Sequence, residues 1–429
     1  MKKLLLFTIC LSVIFTACKD DSALESNEQS IDLNSVIRSK DEALELANQY
    51  CQSLKPEKSR SRTLTIDESS IDSITSSRSR YTSETLIYAI NFTNNNGFLL
   101  ISASKDTEPI LAIVENGNYQ ESNQSDNGGY NLFIAAASDY VTSAIDESIA
   151  KLKSAYYSES PELTMVSKSD TIKMMFCSGN RIKTNWNQRW PEGMFCPNKI
   201  AGCTPVAIAQ ILGYFKPNLT FNLTFDGRPY DTLYVNWDEI LKHTNSINSC
   251  FDIAIQQHLS NCPASENAHI MLGCLTRHLG VLCNASYKPE STSSSSYGFD
   301  VTTSLLDNPQ YVDVHGDHFY NNLKDGGVAL LYGATGKSAH SWVMDGTASI
   351  VYKITTYYDY VPSTGQYSSK TVEEQRSYYL HCNWGWGGSQ NGYFLEGVYD
   401  TSKGDPSIGL ITPSSRSNYY LNVHGRVFK

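Results

Sequence analysis

The sequence predicts an α+β protein of two domains, and three observations lead to this fold class. The chain has 429 residues, of which 41% are hydrophobic and 18% charged, which is enough for two or three domains with separate cores. The N-terminal part carries both helical periodicity and short strand-like apolar runs. In the remainder, helix candidates come first and strand candidates follow, an order that favours a helical half and an antiparallel β half.

The charge of the chain excludes one class of function. The 34 Lys+Arg residues against 44 Asp+Glu residues leave a formal net charge of −10. The sequence has no stripe of basic residues, and attraction to phosphates dominates nucleic-acid binding. We therefore expect no nucleic-acid partner.

The N-terminus has the pattern of an export signal. Lys2 and Lys3 precede an apolar stretch that ends at residue 17, too short to cross a ~30 Å bilayer but typical of a secretory signal peptide. The sequence Phe-Thr-Ala-Cys at its end resembles a bacterial lipobox, so we expect Cys18 to be lipidated and to anchor the chain to a membrane; cleavage without a lipid is the alternative. The Lys-Asp-Asp that follows resembles a surface-sorting tag. The expected location is the outer membrane or cell surface of a Gram-negative bacterium, with release of a mature form left open.

Residues 18–165 form the first predicted domain, of α+β type. Ser39 and Glu42 make a capping box ahead of a helical pattern. Apolar runs at residues 86–92 and 98–101 flank an Asn-rich turn, which is typical of a hairpin. Three further segments complete this unit: an exposed connection at residues 60–80, a strand at residues 110–114 and a helix at residues 132–157.

A second domain is predicted at residues 174–429. Residues 166–173 are polar and contain Lys168 and Lys173, so they are predicted to be an exposed linker that a protease could cut. All six tryptophans lie beyond this linker. Helix candidates at residues 204–214 and 269–282 precede strand-like runs separated by glycine turns.

The cysteines suggest a nucleophile and argue against a metal. Nine remain outside the signal peptide and Cys18; export permits disulfides, but their connectivity cannot be read from sequence. His269, Cys274, His278 and Cys283 lie close together but lack the short Cys-x-x-Cys spacing of structural zinc sites, so we expect no metal. An odd number of cysteines leaves one thiol free when the others pair.

Cys203 has the local sequence of an activated thiol. Gly202 permits a tight turn before it, and Pro205 is tolerated in a first helical turn, so Cys203 is predicted to begin a helix. A helix start favours the thiolate, which is the nucleophilic form. A small buried core cysteine is the alternative interpretation of this segment.

Two later segments supply partners for such a thiol. His340, in Ser-Ala-His-Ser-Trp-Val-Met-Asp-Gly, follows Cys203 by 137 residues, which is within the range of a papain-like Cys/His pair. Asn383 ends a predicted strand and Trp384 follows it, so an amide could orient an imidazole under an aromatic cover; a structural glycine-rich loop is the alternative. The separation of 43 residues from His340 to Asn383 predicts a long hairpin.

Together these segments resemble the streptopain-like cysteine peptidases, a papain-type family made as zymogens. Ala-Gly-Cys-Thr-Pro-Val-Ala-Ile-Ala-Gln-Ile, His-Ser-Trp-Val-Met-Asp-Gly and Asn-Trp-Gly-Trp-Gly-Gly-Ser-Gln-Asn-Gly-Tyr-Phe occur in the family's order. The first domain resembles its propeptide and the second its peptidase. The resemblance implies a papain-like fold of a helical half plus an antiparallel β half, an α+β propeptide domain that inhibits the enzyme intramolecularly, and no cofactor.

The resemblance also assigns roles to residues. It implies that Cys203 is the nucleophile, His340 its acid/base partner, Asn383 the orienting amide and Trp384 a shield. Gln188, in Asn-Trp-Asn-Gln, matches the family's oxyanion-hole glutamine; a solvated loop glutamine is the alternative.

Substrate-binding residues are predicted on two sides of the site. Ala339 stands where the family usually has a glycine before its histidine, which would narrow the adjoining subsite. The loop at residues 287–297 resembles a flexible wall of the family's cleft; a plain surface loop is the alternative. The predicted substrate-binding residues are Ser338, Ala339, Ser293 and Ser294.

The predicted function is therefore a secreted or surface-anchored endopeptidase, made as a zymogen, that acts on proteins and peptides. One alternative is a non-catalytic surface lipoprotein that binds host protein through the same cleft. A second is acyl transfer to an amine in place of water, which a Cys/His/Asn site also permits.

Overall fold

A computed structural model describes most of the chain. The signal peptide, Cys18 and Cys250 lie outside the described residues. In the part that is described, no helix is long and apolar enough to span a membrane. The described residues are 33–54, 64–75, 85–120, 126–157, 167–225, 228–247, 252–315, 319–334, 338–361, 364, 366–399 and 422–429.

The N-terminal unit contains the predicted helices and hairpin. Ser39 Oγ accepts from the Glu42 backbone N–H at 3.2 Å, and the Glu42 carboxylate accepts from the Ser39 N–H at 2.7 Å, so the capping box is confirmed. The predicted hairpin, third strand and second helix are also present. The elements are α1 (Lys40–Ser53), β1 (Ile66–Thr75), β2 (Thr85–Phe92), β3 (Phe98–Ser102), β4 (Ile110–Val114) and α2 (Gly128–Tyr157), with 3-10 turns at Leu33–Ser35 and Thr93–Asn95.

The rest of the chain divides into helices and strands as predicted. The helices are α3 (Cys203–Phe215), α4 (Trp237–Ile240), α5 (Asp252–Leu259), α6 (Glu266–Leu282), α7 (Phe299–Leu305) and α8 (Phe319–Leu323). The strands are β5 (Ser167–Cys177), β6 (Thr220–Phe225), β7 (Arg228–Tyr234), β8 (Ala285–Lys288), β9 (Ser291–Ser294), β10 (Tyr311–His315), β11 (Val328–Ala334), β12 (Ala339–Val361), β13 (Gln366–Asn383), β14 (Gly392–Leu395) and β15 (Asn422–Phe428), with a 3-10 turn at Glu396–Tyr399.

One antiparallel sheet runs through both parts of the chain. Its strand order is β1-β2-β3-β4-β14-β13-β12-β11-β15-β10, and β5 pairs with β12. The two parts join where β4 pairs with β14, with Ala112 opposite Phe394. β12 and β13 form the long hairpin predicted between His340 and Asn383. Because the join is a backbone ladder, the first domain extends the sheet of the second.

Two hydrophobic cores stabilise this architecture. One lies under the sheet and includes Phe133 of α2 and Phe394 of β14, whose ring centroids are 4.8 Å apart. The other packs α3 against α6 and includes Trp186. The helical half and the β half thus each bury apolar side chains, and the residues expected to form the active site lie at the N-terminus of α3 and the start of β12.

Two polar segments that the sequence predicts as exposed connections are strands. Within residues 60–80, β1 pairs with β2, and within the predicted linker 166–173, β5 pairs with β12. The buried Arg38 guanidinium also forms an ion pair with Asp170 of β5. Both predictions are wrong over these stretches because backbone pairing can hold a strand at a sheet edge without a continuous apolar face. Residues 158–166 lie outside the described residues.

Candidate active site

Cys203 is the first residue of α3, as the sequence predicts. Gly202 before it has a φ of 95°, a backbone conformation that favours glycine, and Pro205 lies in the first turn. The helix is buried over most of its length, so its N-terminus is held in one orientation. The N-terminal end of the helix dipole therefore faces the thiol.

The imidazole of His340 lies beside this thiol. Burial raises the pKa of the Cys203 thiol. The charge and the hydrogen bond of His340 have a larger, opposite effect and lower the pKa to about 7. Burial lowers the pKa of His340, but the Cys203 thiolate and the Trp384 carbonyl raise it above its ordinary value. Each group thus favours the charged form of the other, which is the arrangement of a thiolate–imidazolium pair.

The side chains of Thr204 and Ser341 help to hold Cys203 and His340 next to each other. Thr204 and Ser341 immediately follow the cysteine and the histidine in sequence, and their hydroxyl oxygens are 2.9 Å apart in a buried hydrogen bond. This contact joins the start of α3 to β12 directly beside the reactive groups. Sequence analysis did not identify it, because a Thr and a Ser next to two motif residues have no distinguishing pattern.

The His340 imidazole contacts a backbone carbonyl oxygen, and the role of Asn383 as its orienting amide stays a prediction. His340 Nε2 lies 2.8 Å from the backbone carbonyl oxygen of Trp384. The Asn383 amide instead donates to the Thr184 carbonyl at 2.8 Å and to Gln210 Oε1 at 3.0 Å. The amide therefore holds the end of β13 against α3, and the next carbonyl along the chain reaches the ring.

Trp384 itself is a core residue. Its indole is fully buried, donates from Nε1 to the Gln390 carbonyl at 2.9 Å, and has its ring centroid 5.4 Å from that of Trp342. The Trp342 ring lies nearly parallel to the His340 ring at 6.4 Å. The Trp342 ring thus lies alongside the imidazole, and the role of Trp384 as a shield stays a prediction.

Gln188 lies in a segment that runs beside the approach to Cys203. Its carbonyl accepts from the Ala201 N–H at 2.7 Å, two residues before the thiol. The Asn187 side chain accepts from the Gln188 N–H at 2.5 Å, which fixes the turn. The side chain of Gln188 is buried, and its role as an oxyanion donor stays a prediction.

The predicted substrate-binding residues occupy two walls near the thiol. Ser338 and Ala339 are exposed at the start of β12, next to His340. The expected flexible loop contains the β8–β9 hairpin, in which Ser293 is exposed and Ser294 half-buried. Binding of substrate by these four residues stays a prediction.

Thr292 is the hairpin residue that approaches the thiol segment, and sequence analysis missed it. Its hydroxyl donates to the Ile200 carbonyl at 2.8 Å, and a Cβ on Gly202 would lie 2.9 Å from its methyl group. Asn198 also donates to the hairpin, at the carbonyls of Lys288 and Ser291. The hairpin is therefore fastened to the loop that precedes Cys203.

The first domain covers the imidazole from the other side. Gly128 and Gly129 begin α2, and a Cβ on Gly129 would clash with the Trp384 indole and lie 2.6 Å from His340 Cδ2. The Asn127 side chain donates to the Ser389 carbonyl at 3.1 Å, in the glycine-rich loop after Trp384. The helix start therefore closes over the imidazole, a role that no local sequence pattern of a Gly-Gly pair indicates.

Comparisons with known families identify both parts of the chain. Residues 182–394 match the Peptidase C10 family, the streptopain family, and residues 35–140 match the Spi protease inhibitor domain. Residues 182–394 therefore form a cysteine peptidase domain of the C10 family. Since the inhibitor domain precedes the peptidase in the same chain, the protein is a zymogen whose own propeptide is its inhibitor. The predicted fold class, a papain-like peptidase behind an α+β propeptide, is confirmed.

Two solved structures from Prevotella intermedia are similar to the peptidase. A fragment of prointerpain A is 16% identical, with a TM-score of 0.43, and the match covers 83% of this chain and 97% of that one. Active wild-type interpain A cysteine protease is 17% identical, with a TM-score of 0.32, covering 58% of this chain and 94% of that one. A comparison with curated proteins found no match.

Proposed function

We propose that the protein is an exported endopeptidase in which Cys203 is the nucleophile and His340 the acid/base. The observation that carries this proposal is the contact between the thiol at the start of α3 and a buried imidazole whose pKa is raised, while the thiol pKa is lowered to about 7. A structural cysteine buried in a core has its thiol pKa raised instead, as burial does to about 11 at Cys274 and Cys283.

The reaction follows from this pair. The Cys203 thiolate attacks the carbonyl carbon of the substrate peptide bond, and the His340 imidazolium gives its proton to the leaving amine nitrogen. The acyl group remains on sulfur as a thioester. His340 then takes a proton from water, which attacks the thioester, and the acid product leaves as the Cys203 thiolate and His340 imidazolium are regenerated. Gln188 and the Cys203 backbone N–H are the proposed donors to the oxyanion in both steps.

The Trp384 carbonyl and the Asn383 side chain are proposed to position His340 without contacting the substrate. The Trp384 carbonyl fixes the tautomer and direction of the imidazole by accepting from Nε2. Asn383 fixes that carbonyl indirectly, because its Oδ1 accepts from the Gly385 N–H at 3.2 Å on the far side of Trp384. The amide is thus a positioning residue for the loop and not for the ring.

Export and anchoring are proposed from the N-terminal sequence. The basic start, the apolar stretch and the lipobox-like segment ending at Cys18 support a precursor held at the cell surface by a lipid. Radiolabelled palmitate should be incorporated into the wild-type precursor and not into Cys18→Ser. Equal labelling of both chains, or no labelling of either, would contradict lipidation at Cys18.

Peptidase activity is tested on unfolded protein. Wild-type chain and His340→Ala are incubated with a denatured substrate protein, and every fragment is identified by mass spectrometry. We expect internal cleavages from wild type only, and alkylation of Cys203 by an epoxide probe in wild type. A chain that neither labels at Cys203 nor cleaves the substrate would support the binding alternative instead.

A further inference from the structure

A second cluster of reactive side chains lies in the helical half, apart from the Cys203 site. It consists of His243 after α4, His258 in the last turn of α5, Cys262 after that helix and His269 in α6. One ligand atom from each of the four lies within 4.8 Å of all the others. His243 and His269 are buried, and His258 and Cys262 are half-buried. The peptidase chemistry uses none of them.

The distances among three of these atoms match the edges of a metal tetrahedron. His243 Nδ1 and His269 Nε2 are 3.1 Å apart, and Cys262 Sγ lies 3.5 Å from each. Tetrahedral zinc, with Zn–N near 2.05 Å and Zn–S near 2.3 Å, separates two nitrogens by about 3.3 Å and nitrogen from sulfur by about 3.5 Å. A ring nitrogen of His258 is the fourth corner.

Hydrogen bonds outside the cluster orient His243 as a metal ligand. Its Nε2 lies 2.9 Å from Ser246 Oγ, and the Ser246 hydroxyl donates to the buried Glu192 carboxylate. A hydroxyl has one proton, so Ser246 accepts from His243 Nε2–H, and the lone pair of His243 is then on Nδ1, facing the cluster. Such a hydrogen-bonded carboxylate behind a histidine is the usual support of a metal ligand.

Two further observations point to a bound ion. The Nε2 of His258 is buried and has no hydrogen-bond partner in the described structure, and a buried polar atom without a partner is destabilising. The Trp190 indole packs over the cluster, with its ring centroid 4.9 Å from that of His269 and 5.7 Å from that of His258. The pocket is thus enclosed and lined with nitrogen and sulfur donors, which zinc prefers.

We propose that His243, His258, Cys262 and His269 bind one zinc ion in a structural site. Four protein ligands leave no open position, so the ion takes no part in catalysis. Binding releases the Cys262 thiol proton to solvent and forms one Zn–S and three Zn–N bonds. The sequence prediction of no metal considered His269 with Cys274 and His278 of the same helix and with Cys283 directly after it, whereas the structure groups His269 with His243, His258 and Cys262.

The ion would hold the segment that carries Gln188. Asn185 donates from its backbone N–H to the Thr244 carbonyl at 2.6 Å, and the Ser246 N–H donates back to the Asn185 carbonyl at 3.2 Å. Trp190 pairs with Ile247 in a further β-bridge. Fixing His243 therefore fixes the loop to which the Gln188 segment is bonded on both sides.

The metal content of the purified proenzyme is the direct test. The parent protein is Cys203→Ala, which lacks the other thiolate–imidazole pair. It is analysed by inductively coupled plasma mass spectrometry beside the same protein with the two further changes Cys262→Ser and His269→Gln. His278→Gln, on the same helix but outside the cluster, is the matched control. We expect near-stoichiometric zinc in the parent and the control and its loss from the double variant. Zinc retained by the double variant would overturn the proposal.

A second measurement does not depend on the variant folding. The parent is stripped with a chelator and titrated with Zn²⁺ or Co²⁺, and its melting temperature and absorption are followed. We expect zinc to raise the melting temperature, because it binds the folded state, and cobalt to give tetrahedral bands with a thiolate charge-transfer band. The proposal would be overturned if the purified parent contains no zinc and the stripped parent shows neither a higher melting temperature with zinc nor the cobalt absorption bands.

Discussion

At the scale of single residues, the pKa of Cys203 measures how strongly its surroundings prefer the thiolate. A pKa of about 7 against an ordinary value of ~8.5–9 corresponds to about 2–3 kcal/mol of preference. A helix N-terminus supplies only ~0.3–2 kcal/mol, and burial acts in the opposite direction. His340 must therefore supply most of the effect, and removing it should be visible in the titration of the thiol.

The first prediction concerns this titration. The rate of iodoacetamide reaction at Cys203 should rise with pH around a midpoint near 7, the pKa of the thiol beside His340. In His340→Ala the midpoint should move up by about two pH units or more, because burial is then opposed only by the helix N-terminus and by the smaller effects of the Ser341 and Thr204 hydrogen bonds. The rate is followed by mass spectrometry of the Cys203 peptide, since Cys177 is also exposed. An unchanged midpoint would show that the imidazole does not set the thiol pKa.

A second prediction separates the roles of Asn383 and His340. Asn383→Ala removes the amide that donates to the Thr184 carbonyl and to Gln210 Oε1, so it should lower the free energy of unfolding by about 1–3 kcal/mol. It should keep measurable activity and an unshifted pH profile of kcat/KM, whereas His340→Ala should lose nearly all activity. Urea unfolding and the pH profile are the measurements. A shifted profile in Asn383→Ala would mean that the amide acts on the imidazole after all.

These residues show which parts of a site sequence can predict. Cys203 and His340 could be identified because a nucleophile and its base must be particular residue types in recognisable local sequences. The Trp384 carbonyl could not, since every residue has a backbone carbonyl. The four ligands proposed for zinc are separated by 15, 4 and 7 residues across three elements, and only the packing of α5 and α6 against the His243 loop brings them together.

At the scale of elements, the start of α2 is the part of the inhibitor domain that meets the proposed catalytic groups. Gly129 has no room for a side chain against His340 and Trp384, whereas a Cβ on Gly128 would make only an ordinary contact, 3.6 Å from His340 Nδ1. The two neighbouring glycines therefore offer a matched pair of substitutions.

The third prediction uses this pair. Gly129→Ala should push the helix start away from the imidazole, so Cys203 in the precursor should react several-fold faster with a bulky active-site probe; Gly128→Ala should change little. Alanine favours a helix over glycine by up to ~1 kcal/mol, so a faster reaction cannot come from a weaker α2. Equal rates in the two variants and wild type would show that the helix start does not block the site.

Elements with an apolar pattern or a capping motif were the predictable ones. The Ser39 capping box, the β2–β3 hairpin and α3 follow from local rules that tertiary contacts did not override. β1, β5 and the β8–β9 hairpin could not be predicted in this way, because their residues are polar. β1 and β5 are ordered by pairing with strands elsewhere in the chain, and the hairpin is ordered by its hydrogen bonds with Asn198 and Ile200.

At the scale of the whole molecule, a buried histidine joins the inhibitor domain to the peptidase. His381 Nδ1 lies 2.6 Å from Asp345 Oδ1 and its Nε2 lies 3.3 Å from Glu115 Oε2 of the first domain. Burial lowers the pKa of His381, but the two carboxylates raise it to about 10. The imidazole is therefore charged at neutral pH and attracts the inhibitor domain.

The fourth prediction follows from the sign of this shift. A pKa raised by folding adds stability that is fully present below about 6.5, the unfolded value, and is lost as pH rises through about 10. The urea midpoint of the Cys203→Ala precursor should thus fall between pH 7 and 10, and the fall should be smaller in Glu115→Gln. Glu374→Gln, which removes an exposed ion pair with Lys173, is the control and should keep the parent slope. If the urea midpoint of Glu115→Gln falls with pH as steeply as that of the parent, the contact between His381 and Glu115 is not the origin of the pH dependence.

Self-processing of the purified precursor tests most directly whether Cys203 is the nucleophile of a peptidase held latent by its own first domain. Wild type and Cys203→Ala, prepared free of other proteases, are incubated side by side and followed by intact-mass analysis. Wild type should shorten to a species that begins between about residues 161 and 180, with β5 leaving β12 if the cut falls within it, while Cys203→Ala stays full length. Shortening of Cys203→Ala at the wild-type rate would contradict self-processing by Cys203 and assign activation to another protease.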